Sequence, residues 1–327
     1  MDDTRASHAH ADRRSQIIGT VLLCAAAVLW SLNGALIKSL HRDGQGLNGV
    51  TIAFYRSLIA GLFLLPLARG KFAGLRAGSV GRGAWRLIRP SAVAAIALFT
   101  LMTVCFVVAT TKTEAANAII LQYTSTIWVF ALSALILGEK TAVGEWPILG
   151  LAMAGIAIIF AGSAGTDLPG LAFALGAGFF YGLLTLMLRR LRDADAAAVT
   201  ITNNFGAAFL LLPATLLVGD QTILGSDWLL LIVMGVIQFG LPYYLFSLAL
   251  VRVPAHHAAL VTMVEPVLTP LWAYLAVGEE VAGTTVLGGT LILAAVGLFV
   301  IHARRRYKRE APSVCTGRIG DGGGSLS

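Results

Sequence analysis

Two ionisable side chains lie where charge is expensive. Arg56 falls in the apolar run 47–68, about nine residues from its start. Glu265 falls in the run 255–277, about ten residues from its start. At 1.5 Å per residue, both are about 13–15 Å deep, near the middle of a segment able to cross a bilayer. A charge there costs at least about 2.5–3.5 kcal/mol on insertion scales, so it marks a substrate, a proton or a partner. Arginine offers a planar fork that grips a carboxylate at two points. Glutamate can hold an amine or carry a proton. The bland alternative is that the two pair with each other, or with backbone carbonyls, and only hold helices together.

Glu265 has polar company. Positions 258, 262, 265, 269, 272 and 276 share one helical face, which reads Ala258, Thr262, Glu265, Thr269, Trp272 and Ala276. The matching face of the span 115–138, 140 residues earlier, carries Gln122 and Ser125. Two such stripes suit a cavity, although interhelical hydrogen bonds without a cavity give the same pattern. Trp30, Asn33, Tyr123 and Tyr181 also lie within spans, suited to the wall of a site for a substrate with an apolar body, and equally to packing. Pro266 and Pro270 have no N–H, so the carbonyls of Thr262 and Pro266 need other partners. Backbone broken at membrane depth often lines a site.

Other residues have plainer readings. His256 and His257 are adjacent and point about 100° apart on a helix. They do not chelate one ion from a single helix, and no metal site or cofactor is expected. Either can act as a proton-sensitive group at the mouth. Lys38 and Arg189, near span ends, read as cations that snorkel to the interface. Gly178 and Gly182 have the four-residue spacing of close helix contact.

The chain that carries these residues has 327 positions, 57% apolar and 13% charged, with mean hydropathy +0.80. A soluble domain carries about 25% charged residues. That excludes a soluble enzyme, a disordered chain and a nucleic-acid module, despite the net charge of +7. The expected class is an all-α integral membrane protein whose first partner is the lipid bilayer. Ten segments reach span length: 17–38, 47–68, 90–110, 115–138, 146–163, 168–188, 197–218, 227–249, 255–277 and 283–302. The start, 1–16, mixes Asp2, Asp3 and Asp12 with Arg5, Arg13 and Arg14, unlike a cleaved signal. It is expected as a cytoplasmic tail, with 303–327 as a basic, disordered one. Of the 24 Lys and Arg, twenty fall on one face and three (Lys38, Arg42 and Lys112) on the other, with Arg56 inside a span. Both termini are therefore expected in the cytoplasm of a cell bounded by this inner or plasma membrane.

Shifted by 140 residues, Thr113–Gly155 lies over Val253–Ala295 without a gap, and Gly138-Glu139 falls on Gly278-Glu279. The repeat, 17–163 and 168–302, is five spans long. An odd number inverts the second copy, giving the pseudo-two-fold pair common in secondary transporters. Leu29-Trp30-Ser31-Leu32-Asn33-Gly34, Phe54-Tyr55-Arg56, Glu265-Pro266-Val267 and Gly278-Glu279 resemble the EamA-type family of the drug/metabolite transporter superfamily over roughly 17–302. The resemblance implies ten helices as two inverted five-helix repeats around a central cavity. It also implies a metabolite transporter, often an exporter of amino acids or related compounds. Where members carry a proline in the fourth span, this chain has Thr126, and a straighter fourth span is expected.

No P-loop and no His-Glu-x-x-His helix occurs. An intramembrane enzyme or a channel is the alternative, and neither shows a catalytic or filter motif. A transporter of a small, amino acid-like substrate, open to proton coupling, is the reading that remains, with Glu265 and Arg56 as its leading binding or coupling groups. Oligomeric state leaves no mark in the sequence.

Overall fold

The computed structural model of the chain describes residues 2–40, 46–74, 90–113, 115–139, 141–162, 168–220, 222–277 and 283–310. Gly278-Glu279, Lys140, most of the basic loop 69–89 and everything beyond 310 lie outside the described residues. The described residues are helical, with no strand among them. In order they form α1 (Asp2–Trp30), α2 (Asn33–Leu40), α3 (Gly49–Gly74), α4 (Pro90–Lys112), α5 (Ala115–Gln122), α6 (Ser125–Leu137) and α7 (Trp146–Gly162). Then follow α8 (Leu168–Arg190), α9 (Ala196–Val218), α10 (Gly225–Val233), α11 (Leu241–Leu250), α12 (Ala255–Thr262), α13 (Glu265–Val277) and α14 (Gly283–Glu310). A 3-10 turn, Val143–Glu145, leads into α7, and a π-helical segment, Met234–Gly240, joins α10 to α11.

Among the described residues seven stretches are long and apolar enough to cross a membrane, and Val143–Ile158 and Val286–His302 are shorter apolar helices. The run 255–277 is divided between α12 and α13. Large apolar side chains cover the outside, with Leu135, Leu217 and Phe209 at 82%, 83% and 75% exposure. Such a surface needs hydrocarbon as its solvent, so this is a multi-pass membrane protein. Helix continues at both ends beyond the limits 16 and 302, α1 from Asp2 and α14 to Glu310.

Local chemistry sets the ends. Gly138 ends α6 at φ 69, a left-handed conformation that costs a glycine nothing, and its N–H closes on the Ala134 carbonyl. Asp195 caps α9 by accepting from the N–H groups of Ala197 and Ala198, 3.1 Å each. Inside the assembly, α4 packs along α8, α1 along α11, α3 along α9 and α7 along α14.

The expectation of a straighter fourth span is corrected. Without a proline, it still breaks at Tyr123–Thr124, as the ninth breaks at Met263–Val264, 140 residues on. Thr126 keeps its N–H and gives it to the Tyr123 carbonyl, three residues back, at 3.1 Å. The Thr124 hydroxyl takes over the Leu121 carbonyl at 2.7 Å. Close approach of α8 fixes this turn. A methyl on Gly178 would stand 2.4 Å from Thr124 Oγ1 and 2.8 Å from the Leu121 oxygen, and one on Gly182 would stand 2.9 Å from the Ser125 oxygen. The break at 263–264 also means that the stripe from Ala258 to Ala276 does not lie on one continuous helix.

Because backbone oxygens cannot swing aside as a side chain can, Gly178→Ala should cost about 1–3 kcal/mol. Thermal unfolding of the detergent-solubilised protein should show a lower Tm; an unchanged Tm would mean that α8 does not press on the break.

Candidate functional site

Four interruptions of regular helix meet at mid-depth. The turn between α1 and α2 brings Trp30 and Asn33, the end of α5 brings Gln122, the π-helical segment brings Gln238 and Phe239, and the start of α13 brings Glu265. Arg56 of α3, Tyr181 of α8, and Met102, Phe106 and Tyr243 complete the wall of one small cavity. Its volume is about 20 Å³, room for roughly one water. In this conformation the site has room for nothing larger.

The aromatic part is tightly joined. The Trp30 ring stands 4.9 Å from Tyr243 and 6.3 Å from Tyr181, both edge-on. Tyr243 also meets Phe239 at 5.0 Å. These orientations suit the ring quadrupoles and hold the wall rigid.

Arg56 and Glu265 line the same cavity without pairing. Arg56 is 1% exposed, and no carboxylate among the described residues forms an ion pair with it. It reaches Asn33 Oδ1 at 3.4 Å and the Thr103 carbonyl at 3.5 Å, both long, and lies 4.2 Å from the Phe239 ring centre. Its Nε donates to nothing. A buried guanidinium has five N–H donors, so most of this one's capacity is unspent.

Glu265 is tied across the molecule. Its Oε2 lies 2.6 Å from the Tyr123 hydroxyl, which also lies 2.7 Å from the Thr262 carbonyl. That carbonyl is the one Pro266 leaves without a donor, and a tyrosine from the other broken span supplies one. Thr262 and Thr269 turn their own hydroxyls back onto helix carbonyls, at Ala258 and Glu265.

Not all nominated residues reach the cavity. Tyr123 and Thr262 support Glu265 from behind. Ser125 is buried beside Gly182, Thr269 is occupied within α13, and Trp272 donates to Ser31 Oγ at 2.7 Å. The most informative residue not singled out from the sequence is Gln238. It is fully buried, and neither end of its amide has a partner. Its signal was present: a glutamine in an apolar span is costly unless bonded, and Pro242 frees its carbonyl four residues back. The π turn that aims it inward was not legible, although such turns cluster at functional sites.

Both ends of the two halves are laced together. On one side Glu139 binds Arg189 at 2.6 Å and accepts from the Ala255 N–H at 3.1 Å. Arg189 also donates to the Leu250 carbonyl. The reading of Arg189 as a snorkelling cation is therefore corrected, since a carboxylate and a carbonyl beside it compete better than water for a buried guanidinium. At the other end Asn48 N–H donates to Asp220 Oδ2 at 2.6 Å, and Asp220 N–H to Thr51 Oγ1 at 2.9 Å. Near the first of these ends, His256 and His257 both lie against Glu145.

The EamA-like transporter family matches twice, at residues 17–161 and 168–301. An uncharacterized transporter from Archaeoglobus fulgidus is 27% identical over 280 residues, covering 85% of this chain and 94% of that one. The threonine/homoserine exporter RhtA of Salmonella typhimurium is 29% identical over 130 residues, 39% of this chain and 44% of its own. A solved crystal structure, 20% identical, superposes with a TM-score of 0.73 over 88% of this chain and 97% of that chain, which shows a shared fold.

A polar group held for a ligand, and not for the fold, can be removed without loss of stability. Gln238→Leu should leave the Tm unchanged or raise it, because replacing an unbonded amide by an apolar group of similar size removes a desolvation cost. A fall matching about 1–3 kcal/mol would mean that Gln238 serves the fold.

Proposed function

Since the chain belongs to the EamA-like transporter family, we propose that it exports amino acids or related compounds by alternating access. It does so through ten spans arranged as two inverted five-helix repeats. The observation that carries this is the cavity holding Arg56 and Glu265 unpaired, between aromatic walls. A cation with spare donors, an acid and a ring surface together match an α-carboxylate, an α-amine and an apolar body. The partial likeness to a threonine/homoserine exporter points the same way.

The packing supports the inverted repeat. Under an exchange of halves, α4 against α8 becomes α11 against α1, while α3–α9 and α7–α14 map onto themselves. The paired breaks at 123–124 and 263–264 fit the same two-fold. The Lys and Arg distribution supports cytoplasmic termini in the cell membrane, an orientation in which the Glu139–Arg189 tie lies on the cytoplasmic side. With that tie made, the pathway to the cytoplasm is shut, and its opening and the loosening of Asn48–Asp220 alternate.

Proton coupling follows from counting hydrogens. The Tyr123 hydroxyl has one proton and two oxygen neighbours at 2.7 and 2.6 Å. Both contacts are hydrogen bonds only when Glu265 is itself protonated, donating to Tyr123, which donates to the Thr262 carbonyl. When Glu265 ionises, Tyr123 turns its proton to the carboxylate and the Thr262 carbonyl loses its donor, because Pro266 has none. Loss of the proton therefore loosens the break, and an arriving amine is an alternative partner for the carboxylate. The function proposed is transport without chemistry on the substrate.

Cells overproducing the protein and loaded with dipeptides should release at least one amino acid faster than control cells. Arg56→Lys should cut that release about tenfold or more with the protein still folded, since lysine has no planar fork. Glu265→Gln should fold and lose the pH dependence of transport. Wild-type rates, pH profile and substrate range in both variants would overturn the assignment.

A further inference from the structure

The carboxylate of Glu145 lies between two imidazoles, away from the central cavity. His256 Nε2 is 3.3 Å from Glu145 Oε2, and His257 Nε2 is 3.6 Å from Glu145 Oε1. One donor atom from each of the three residues lies within 4.8 Å of the others. Donors held about 2.0–2.2 Å from a tetrahedral Zn²⁺ are about 3.3–3.5 Å apart, so the two histidine-to-carboxylate separations are close to polyhedron edges and the whole set, within 4.8 Å, closes further on an ion. Two imidazoles and a carboxylate are a zinc donor set that leaves a fourth position for water.

The sequence alone argued against this, because neighbouring histidines diverge along a helix. That divergence governs Cβ directions. At the first turn of α12 the rings fold toward a third ligand supplied by the turn before α7. The rings are also held. His256 packs edge-on against Phe130 at 5.7 Å, His257 against Phe299 at 4.7 Å, and the two rings stand 4.6 Å apart. The carboxylate is fixed by the Ala142 N–H, 3.2 Å from Oε2. Outer contacts of this kind orient metal ligands. His256 and Glu145 are buried, while the His257 side chain is 21% exposed, an approach for an ion.

We propose that Glu145, His256 and His257 bind a divalent transition-metal ion of the zinc class, separate from the transported substrate. The site joins the first half, through the turn into α7, to the second, through the half-helix that ends at Thr262. Glu139 already caps that half-helix at Ala255. A bound ion adds a second tie to it at the same end, and so favours the closed arrangement there.

Co²⁺ added to the purified full-length protein in detergent reports on the ligands by its absorption. The expected result is one Co²⁺ per chain with tetrahedral nitrogen/oxygen bands, displaced by Zn²⁺. His256→Gln with His257→Gln, checked for a folded monodisperse peak, should weaken binding at least tenfold, and His302→Gln should not. Absence of stoichiometric binding by the unaltered protein would overturn the site, as would a sulfur-to-metal band from Cys24, Cys105 or Cys315. Equal affinity in the double variant would leave only a histidine–carboxylate ion pair.

Discussion

Everything at the centre of this molecule depends on one constraint: a carbonyl without a donor must find one when no water can reach it. Pro266 creates that need at Thr262, and Tyr123 meets it from the other broken span. A proline-made defect in one half thereby becomes a contact between halves. The same hydroxyl touches Glu265, and on the proposed function the strength of the contact follows where one proton sits. The glycines of α8 matter for the same reason. They let a helix come close enough to keep the Tyr123–Thr124 turn bent, so that the tyrosine points across the interface.

In the transport proposed above, closure is separate from recognition. Closure is done by charged and polar ties at the two ends, Glu139 with Arg189 and Asn48 with Asp220. The recognition proposed rests on groups left short of partners at mid-depth, Arg56 and Gln238. Satisfying them within the protein would stabilise the fold and remove the reason for a ligand to bind. Their cost is tolerable because the aromatic box of Trp30, Tyr181 and Tyr243 is well packed beside them.

Much of the centre was legible in the sequence. Arg56 and Glu265 announced themselves by charge in apolar runs, and Trp30, Asn33, Gln122 and Tyr181 by polarity within spans. All six line the cavity. What was not legible depends on tertiary contact. The break at Tyr123 has no proline to mark it and is made by α8 pressing on the turn. Arg189 lies near a span end, where nothing local tells a snorkelling cation from one that meets Glu139, fifty residues away in the chain. Ser125 and Thr269 have the right periodicity but face neighbours already placed against them, which periodicity cannot register. The convergence of His256 and His257 on Glu145 is likewise a property of two distant turns meeting.

The central claim is that the Tyr123 hydroxyl couples the protonation of Glu265 to the join between halves. The most direct test is the pH profile of transport by Tyr123→Phe in proteoliposomes, normalised to folded protein. Without the hydroxyl, the proton on Glu265 loses its acceptor and the Thr262 carbonyl loses its donor in every state. The account predicts that the pH profile is displaced, because the hydroxyl accepts from the protonated acid and donates to the carboxylate, and these two bonds differ in strength. A Tyr123→Phe profile superimposable on that of the unaltered protein would contradict it.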